Sequence, residues 1–319
     1  MRKRASKGLA EQGVHINIQT RRADVADLIY FLTIARHRSF SRAAVELGVS
    51  ASALSHALKG LESRLGVRLL NRTTKSVTLT AAGEALAESV SQPFQAIDTA
   101  LEMLNRFRDT PSGRIRINAA VEAANLLLAP IMPAFMDRYP DVEIDIVASN
   151  RLVDVTDGGF DAGIRYGATV PEGMIARRLS ADIRWVVVGA PGYLDRYGTP
   201  EHPEALLSHR CISNRLGDDR IYRWELERDG EAFEIAVPTS VTVDQAETGL
   251  IAVLGGAGLM YLPEPLVAPY VKDGRLKLVL TQWAPMEEGF HIYYSSRRQL
   301  PTGLRLLIEF IQEHKPMGL

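Results

Sequence analysis

Two helical patterns that meet at a glycine place the strongest constraint on how this chain folds. Gly48 can take the positive φ that ends a helix. Ser41 and Ser50 can cap the two helices, because a serine hydroxyl accepts a hydrogen bond from a free backbone N–H. The apolar residues of the second helix recur at helical spacing and predict one buried stripe: Ala53, Leu54, Leu58, Leu61 and Leu65. The pattern predicts a helix-turn-helix.

The outer face of the second helix is polar and basic. Its side chains can hydrogen-bond base edges and phosphates from the major groove of DNA, and they are Ser52, Ser55, His56 and Lys59. A basic segment follows at 71–76, between two short apolar runs, and predicts a two-stranded wing whose tip contacts the DNA backbone. The solvated face of an ordinary helical hairpin has the same residue types, so the helix alone leaves both interpretations open.

Charge is divided unevenly along the chain. Residues 1–80 contain 14 Lys and Arg against 5 Asp and Glu, whereas residues 81–319 contain 23 against 33. A basic head attracts phosphate and an acidic body does not, so the division favours a nucleic-acid binder. Residues 1–22 are basic without an apolar core segment, which predicts a disordered basic arm and not a secretory signal. No apolar run has transmembrane length, and we expect a cytoplasmic protein without a membrane partner.

The stretch from Asp27 to Gly83 resembles the winged helix-turn-helix of the LysR-type transcriptional regulators. The matching segments are Asp27–Phe31, Ser39–Ala44, Val49–Ser50, Leu54–Ser55, Leu61–Glu62, Leu65–Val67, Leu69–Thr73, Leu79–Thr80 and Ala82–Gly83. Ala51 departs from the family, which usually has Gln or Pro there, and an alanine cannot hydrogen-bond a base edge.

The resemblance implies two kinds of DNA contact. Base readout is assigned to Ser50, Ser52, Ser55 and His56. Phosphate contact is assigned mainly to Arg42, Lys59, Arg72, Thr73 and Lys75, and Ser41 and Thr74 are further DNA-binding residues.

A long amphipathic helix is predicted from Ala81 to Phe107, with Thr80 as its cap and a bend at Pro93. Its apolar residues have coiled-coil spacing: Leu86, Val90, Phe94, Ile97, Leu101 and Leu104. The stripe needs a partner, which is either the body of the same chain or, as the resemblance implies, the same helix of a second subunit. The resemblance also implies a dimer of dimers that binds an interrupted inverted repeat in double-stranded DNA, and RNA polymerase is a further candidate partner.

Beyond a linker at 109–113, strands alternate with helices, which predicts α/β units with parallel pairing. Three segments resemble recurrent positions of LysR-type effector domains: Phe160–Arg165, Gly189–Leu194 and Gly255–Gly258. The resemblance spans about residues 23–315. It implies an α+β multidomain protein, with an all-α winged helix-turn-helix head, a long linker helix and a two-lobe α/β effector domain of the type 2 periplasmic-binding-protein kind. The expected bounds are 23–80 for the head, 81–111 for the linker helix, 112–319 for the effector domain, about 112–180 and 285–319 for its first lobe, and about 181–284 for its second.

A small-molecule effector, still unidentified and with no cofactor, is expected at the carboxyl ends of strands and at helix N-termini of the two lobes. The residues at such positions are Ala120, Val121, Glu122, Ala123, Arg165, Asp244 and Gln245. Family members commonly have Ser or Thr where this chain has Glu122, and an ionised glutamate would repel an anionic effector. Glu122 therefore caps its own helix and points outward, or helps to bind a cationic or neutral effector, or pairs with Arg165 or Arg184. A structural ion pair for Arg165 and a simple helix cap for Asp244 are the alternatives at those positions.

The residues are compatible with three functions. The first, which they favour most, is a ligand-responsive transcription regulator whose effector shifts the population of DNA-bound assemblies. The second is a solute-binding module whose basic head has another role. The third is an enzyme, because Cys211 lies close to His209, although neighbouring residues of a strand point to opposite faces. We predict that the chain is not an enzyme. A single cysteine also excludes an intramolecular disulfide.

Overall fold

The computed structural model describes residues 22–72, 77–102, 111–155, 158–295 and 300–318. The chain forms two compact units, one up to Ala96 and the other from Ile97 onward, and helix α4 (Ala81–Glu102) passes from the first to the second. The predicted basic arm lies outside the described residues except for Arg22, and so does the part of the predicted long helix after Glu102. No helix within the described ranges is long and apolar enough to cross a membrane.

Three helices and a small hairpin precede α4 in the described part of the first unit. They are α1 (Arg22–His37), α2 (Phe40–Leu47), α3 (Ala51–Leu65), β1 (Leu70–Arg72) and β2 (Val77–Leu79). The two strands pair antiparallel, from Leu70 opposite Leu79 to Arg72 opposite Val77. The predicted wing is therefore present, and its tip at 73–76 lies outside the described residues.

The turn between α2 and α3 follows the sequence pattern with one correction. Gly48 ends α2 with a φ of 64°, and Ser50 caps α3 as predicted. The prediction that Ser41 caps α2 is wrong, because Ser39 is the cap and Ser41 lies inside the helix. The helix begins at Phe40, whose ring is partly buried against the core of the first unit.

The core of the first unit lies where its helices meet. Its buried residues are Phe31, Ile34, Ala43, Ala44, Leu54, Leu58, Leu61, Leu69 and Leu70. The predicted burial of Leu54, Leu58 and Leu61 is confirmed, but Ala53 and Leu65 are exposed. Ala53 lies about 100° around the helix from Leu54. Leu65 is the last residue before Gly66 ends α3, so the core does not extend beneath it.

Helix α4 starts as predicted, because the Thr80 hydroxyl accepts a hydrogen bond from the Gly83 N–H at 3.0 Å. Leu86 is partly buried against the core of the first unit. Further along the helix, Ile97 and Leu101 are 53% and 61% exposed. An apolar pair four residues apart is thus left on the surface of the chain.

The first lobe of the second unit contains a five-stranded sheet in the order β4-β3-β5-β15-β6. Its strands are β3 (Gly113–Ala119), β4 (Val142–Ala148), β5 (Ala162–Tyr166), β6 (Ile175–Arg178) and β15 (Phe290–Tyr294). β3 is parallel to β4 and β5, as predicted. β15 is antiparallel to both of its neighbours, so the sheet is mixed and not purely parallel.

The helices of the first lobe pack on this sheet. α5 (Val121–Ala123) continues through a π-helical turn (Ala124–Leu128) and a 3₁₀ turn (Ala129–Ile131) into α6 (Met132–Arg138). The C-terminal helix α10 (Thr302–His314) buries Leu304, Leu307 and Ile311 in the same core. The helical segment at 121–138 is therefore irregular, and π-helical turns of this kind are frequent at functional sites.

The second lobe contains strands in the order β11-β8-β12-β7-β13, with a short strand β14 also paired to β7. The strands are β7 (Ile183–Gly189), β8 (Cys211–Asn214), β11 (Thr239–Val243), β12 (Leu259–Pro263), β13 (Lys277–Val279) and β14 (Met286–Glu287). The helices are α7 (Pro191–Tyr197), α8 (Ala246–Leu254) and α9 (Glu264–Lys272). A separate antiparallel hairpin is formed by β9 (Trp224–Arg228) and β10 (Glu231–Ile235).

The chain crosses between the lobes twice. It leaves the first lobe at 179–182, between β6 and β7. It returns at 288–289, because β14 still pairs with β7 through Glu287 opposite Ile183. The two crossings lie side by side, since the Phe290 N–H donates to the Ser180 hydroxyl at 2.8 Å.

Candidate DNA-binding surface and effector site

The polar face predicted on α3 is present in the structure. Ser52, His56 and Lys59 are exposed, and Ser55 is half-buried at the same face. The hydroxyls of Ser50 and Ser52 lie 2.9 Å apart and share a hydrogen bond at the N-terminus of the helix. The described residues predicted to read bases therefore lie together, on a helix whose opposite side is anchored in the core.

Arg72 connects the wing to this helix. Its Nη1 donates to the Ser55 hydroxyl at 2.8 Å, and its guanidinium carbon lies 4.3 Å from the centre of the Phe40 ring. A guanidinium over a ring face is attracted by the ring quadrupole. One cationic group is thereby held beside the exposed face of α3. Thr73, Thr74 and Lys75 lie outside the described residues.

Ser41 and Arg42 are exposed on α2, and Arg42 donates to the His37 carbonyl at 2.9 Å. Glu46 of α2 accepts hydrogen bonds from Arg36 and His37 of α1. Burial acts to raise the pKa of Glu46, but the His37 hydrogen bond and the Arg36 charge outweigh it and lower that pKa. These contacts hold α2 against α1.

In the second unit, polar side chains join the two lobes. Asn125 in the π-helical turn donates to Glu247 Oε1 of α8 at 2.5 Å. Asn150, which follows β4, donates to the Asp244 carbonyl at 3.4 Å. Nothing in the local sequence pattern shows that polar residues so far apart in the chain meet, so Asn125, Asn150 and Glu247 were not predicted.

The first strand-to-helix turn is closely packed. Ala120 and Ala123 are buried, and the Val121 N–H donates to Asn150 Oδ1 at 3.1 Å. That N–H, which could have attracted an anion, is already engaged. At the start of α8 the backbone cap is Gln245 without a side-chain bond, so Asp244 contributes its carbonyl and is not a helix cap.

Glu122 is buried, with 9% of its surface exposed. Burial raises the pKa of its carboxyl, the Glu247 charge raises it further, and the Arg165 charge opposes both. The carboxylate accepts a hydrogen bond from its own backbone N–H but does not point outward. Arg184, the other predicted partner, instead lies 3.5 Å from Glu264. Glu122 therefore faces the second lobe without an ion pair to either arginine among the described residues.

Arg165 is 3% exposed and has a structural role. Its Nη1 donates to the carbonyls of Asn118 and Ile164 at 3.2 and 2.8 Å. Its Nη2 donates to the Arg151 carbonyl at 3.0 Å and to the Asn118 side chain. Four neutral oxygens, and not an acidic neighbour, hold the guanidinium, which fastens β3 to β5 and to the loop after β4.

Aromatic rings form a wall between the lobes. The Trp185 ring centre lies 5.6 Å from that of Tyr166 in the first lobe, 5.2 Å from that of Tyr261 and 6.2 Å from that of Tyr222. The Tyr166 hydroxyl and the Trp185 Nε1 are buried and have no hydrogen-bond partner among the described residues. Trp224 is a core residue, whereas Trp185 is only partly buried, and its indole N–H has no hydrogen-bond partner among the described residues.

Glu287 on β14 also lies near these rings and was not predicted. Burial raises the pKa of its carboxyl to about 7, and the charge of Glu225 contributes. This folded pKa is above the ordinary value of 4.5. The Glu287 carboxyl therefore contributes most to the free energy of unfolding below about pH 4.5, where it is neutral in both states. That contribution is lost as the pH rises through about 7, where the buried carboxyl ionises.

We expect Glu287→Gln to raise the free energy of unfolding of the second unit by about 2 kcal/mol at pH 8 and to change it little at pH 4.5. Glutamine mimics the neutral carboxyl, so it removes the penalty only where the glutamate is ionised. Urea titration followed by tryptophan fluorescence measures this, since Trp185, Trp224 and Trp283 all lie in that unit. Glu288→Gln, at the exposed neighbouring position, is the matched control. An equal gain at both pH values would contradict the assignment.

Comparison with known proteins follows the same division of the chain. Residues 25–84 match the model of the bacterial regulatory helix-turn-helix proteins of the lysR family, and residues 108–316 match the LysR substrate binding domain. The HTH-type transcriptional regulator YcaN of Escherichia coli, itself described as uncharacterised, is 38% identical over 92% of this chain and 99% of its own length. The HTH-type transcriptional regulator PgrR of the same organism is 36% identical over 91% and 97%.

Solved structures agree with the sequence relatives. The full-length virulence activator AphB of Vibrio cholerae, a member of the LTTR protein family, has a TM-score of 0.66 at 25% identity and covers 91% of this chain and 98% of its own. CrgA of Neisseria meningitidis, a LysR-type transcriptional regulator, has a TM-score of 0.57 at 29% identity and covers 90% and 98%. The chain therefore belongs to the LysR-type transcriptional regulators, which join a DNA-binding helix-turn-helix head to a substrate-binding effector domain.

Proposed function

We propose that α3 enters the major groove of DNA and that Ser50, Ser52, Ser55 and His56 contact base edges there. Support comes from the position of Arg72, which is held beside the exposed face of α3 by Ser55 and Phe40. In this proposal the residues that contact phosphates or flank the groove are Ser41, Arg42, Lys59, Arg72, Thr73, Thr74 and Lys75.

The target in this proposal is an interrupted inverted repeat bound by a dimer of dimers. The exposed pair Ile97 and Leu101 on α4 supports pairing with the same helix of a second copy, because an apolar stripe at coiled-coil spacing is stabilised by burial. Two paired heads would then read two half-sites. The protein would act in the cytoplasm, on its DNA target and with RNA polymerase as a further partner.

The small-molecule effector is proposed to bind between the lobes, beside Glu122 and Glu247. Contacts that join the lobes, such as Asn125 with Glu247, support this position, because a molecule bound there changes the balance between lobe arrangements.

We further propose that the chain catalyses no reaction. Cys211 is fully buried, and burial raises the pKa of its thiol to about 12, which disfavours the nucleophilic thiolate.

We expect Arg72→Ala to weaken binding to the upstream region of the protein's own gene by about 10- to 100-fold, because it removes a phosphate contact and releases Ser55. Arg72→Lys should recover only part of the affinity, since an ammonium cannot reproduce the planar contact with Phe40 and the bond to Ser55 together. Gel-shift titration over a range of salt concentrations measures the effect. The slope of log affinity against log salt should fall by about 1.

Arg305→Ala is the control for this experiment. It removes an exposed arginine of α10, in the second unit, and therefore changes the net charge equally. Its affinity and salt slope should match those of the unaltered protein. An Arg72→Ala variant with unchanged affinity and slope would remove the wing from the proposed DNA contacts.

A further inference from the structure

Three carboxylates from three separate elements lie around one tyrosine between the lobes. Glu122 belongs to α5, Glu247 to α8 and Glu287 to β14. Burial and then the charges of Glu122, Glu287 and Glu247 raise the pKa of the Tyr166 phenol well above its ordinary value. Each of the three carboxylates is therefore near enough to act on the same hydroxyl.

Little positive charge offsets this cluster. None of the three carboxylates forms an ion pair with Lys, Arg or His among the described residues. Arg165 acts on Glu122 only at longer range, since its Nη1 and Nη2 donate to Asn118, Ile164 and Arg151. Arg184 is engaged by Glu264 and by the Thr281 carbonyl. Like charges held together in a poorly solvated site are costly unless protons or a cation neutralise them.

Unsatisfied polar atoms stand at the same place. One carboxylate oxygen of Glu247, Oε1, accepts from Asn125, whereas the other, Oε2, is buried without a hydrogen-bond partner in the described part of the chain. The Tyr166 hydroxyl and the Trp185 N–H are buried without partners as well. A hydrogen-bond donor from a ligand would stabilise Glu247 Oε2, and a hydrogen-bond acceptor would stabilise the Trp185 N–H.

The rings around the cluster favour the same ligand chemistry. Trp185 lies within 6.2 Å of Tyr166, Tyr222 and Tyr261, measured between ring centres. The faces of Trp and Tyr rings attract cations, most strongly where water is excluded. The carboxylates can pair with the charge of an organic ammonium or guanidinium group, and the aromatic rings can pack against the methylene groups next to that charge.

We propose that the effector is a small organic cation that also carries an uncharged hydrogen-bond acceptor, with its charged group between Glu122, Glu247 and Glu287. This assignment rests on the proposed effector site between the lobes and gives its ligand class. The cation offsets the repulsion between Glu122 and Glu247 and donates to Glu247 Oε2, and its acceptor receives the Trp185 N–H. Because Glu122 belongs to the first lobe while Glu247 of α8 and Glu287 of β14 belong to the second, one cation would draw the lobes together.

Three probes of one chain length but different charge test the class: butylammonium, butan-1-ol and butanoate. Each is titrated into the full-length protein at pH 8 and followed by calorimetry and by tryptophan fluorescence. Butylammonium should bind at least about tenfold more tightly than the alcohol, and butanoate more weakly still. Equal binding of the alcohol, tighter binding of butanoate, or no binding of butylammonium would overturn the proposal.

Variants locate the binding. Glu122→Gln and Glu247→Gln should each weaken butylammonium binding about tenfold and leave butan-1-ol binding unchanged. Glu309→Gln, at an exposed position of α10, is the control and should change neither. Thermal unfolding confirms that each variant is folded, and Glu122→Asp, which keeps the charge, should recover part of the affinity. Equal losses for butylammonium and butan-1-ol in Glu247→Gln would show a structural role and overturn the assignment.

Failure of the cationic ligand class can be distinguished from failure of the proposed effector site or of DNA binding. Butanoate binding that Tyr166→Ala abolishes would keep the site between the lobes and overturn only the cationic class. DNA binding is measured without any probe, so its loss or retention does not depend on the charge of the effector. A footprint that no probe and no lobe variant alters would instead count against effector control as such.

Discussion

Replacing Gly217 by alanine is expected to abolish the transcriptional response to the effector while DNA binding without effector is retained. Gly217 lies in the second lobe, between β8 and β9. A Cβ at this position would lie 2.1 Å from the Asn150 carbonyl oxygen and 2.7 Å from the Arg151 Cα of the first lobe. Both neighbours are backbone and cannot rotate away, so the lobes must separate at this point.

Separation would break the other contacts that join the lobes. The Asn150 amide could no longer reach the Asp244 carbonyl, and Asn125 would lose Glu247 Oε1. We expect a cost of about 1–3 kcal/mol, as for other overpacked sites. Amide hydrogen exchange at Val121, whose N–H is held by Asn150 Oδ1, should become faster.

Gly192→Ala is the matched control, because a Cβ added there meets nothing within 4 Å. It should leave the response of a reporter gene behind the protein's own promoter unchanged. The Gly217→Ala response should be flat, with reporter expression fixed at one level across growth conditions. A normal response in Gly217→Ala would mean that effector control does not need the lobe arrangement seen here.

The second large effect is expected from Leu58→Ala in the head. Leu58 is fully buried in α3, and removing a leucine side chain from a packed core costs about 3 kcal/mol. The core of the first unit is small, so this is a large part of its stability. DNA binding at 37 °C should fall with the folded fraction of the head, by at most about 100-fold, measured by gel shift. The second unit should still unfold normally by tryptophan fluorescence.

Leu65→Ala removes the same side chain from the same helix, at a position that is 48% exposed. It should change the free energy of unfolding by no more than about 0.5 kcal/mol. The pair also tests the correction to the predicted stripe, which had placed both leucines in the core. Similar losses from the two substitutions would mean that Leu65 is covered in the assembled protein.

Local patterns predicted much of the fold because they depend on neighbours in the chain. Gly48 takes a positive φ and Leu54, Leu58 and Leu61 share one helical face wherever α3 is placed. Strand β6 was not predicted, because every residue in it is exposed and no alternation of apolar residues marks the strand. Ser39 and Ser41 could not be distinguished as the cap of α2, since both are serines and their difference lies in the packing of Phe40.

The candidate effector site was only partly predictable. Glu122 and Arg165 were found from their positions after strands, but their partners were not. Arg165 is held by neutral oxygens from three segments, and Glu122 faces Glu247, more than a hundred residues away in the chain. No local pattern contains such a pairing, because it arises when two separately formed lobes meet.

The order of residues alone was enough to specify the helix-turn-helix, its wing, the capped start of α4 and the alternation of strands and helices. Each of these follows from backbone preferences and hydrophobic spacing over a few residues. Long-range packing was needed to bring Glu122, Glu247 and Glu287 around Tyr166, to bury the Trp185 N–H without a partner among the described residues and to place Gly217 against Asn150. The position of the charged groups at the effector site and the room between them depend on how the two lobes pack, and that packing is set only when the chain has folded.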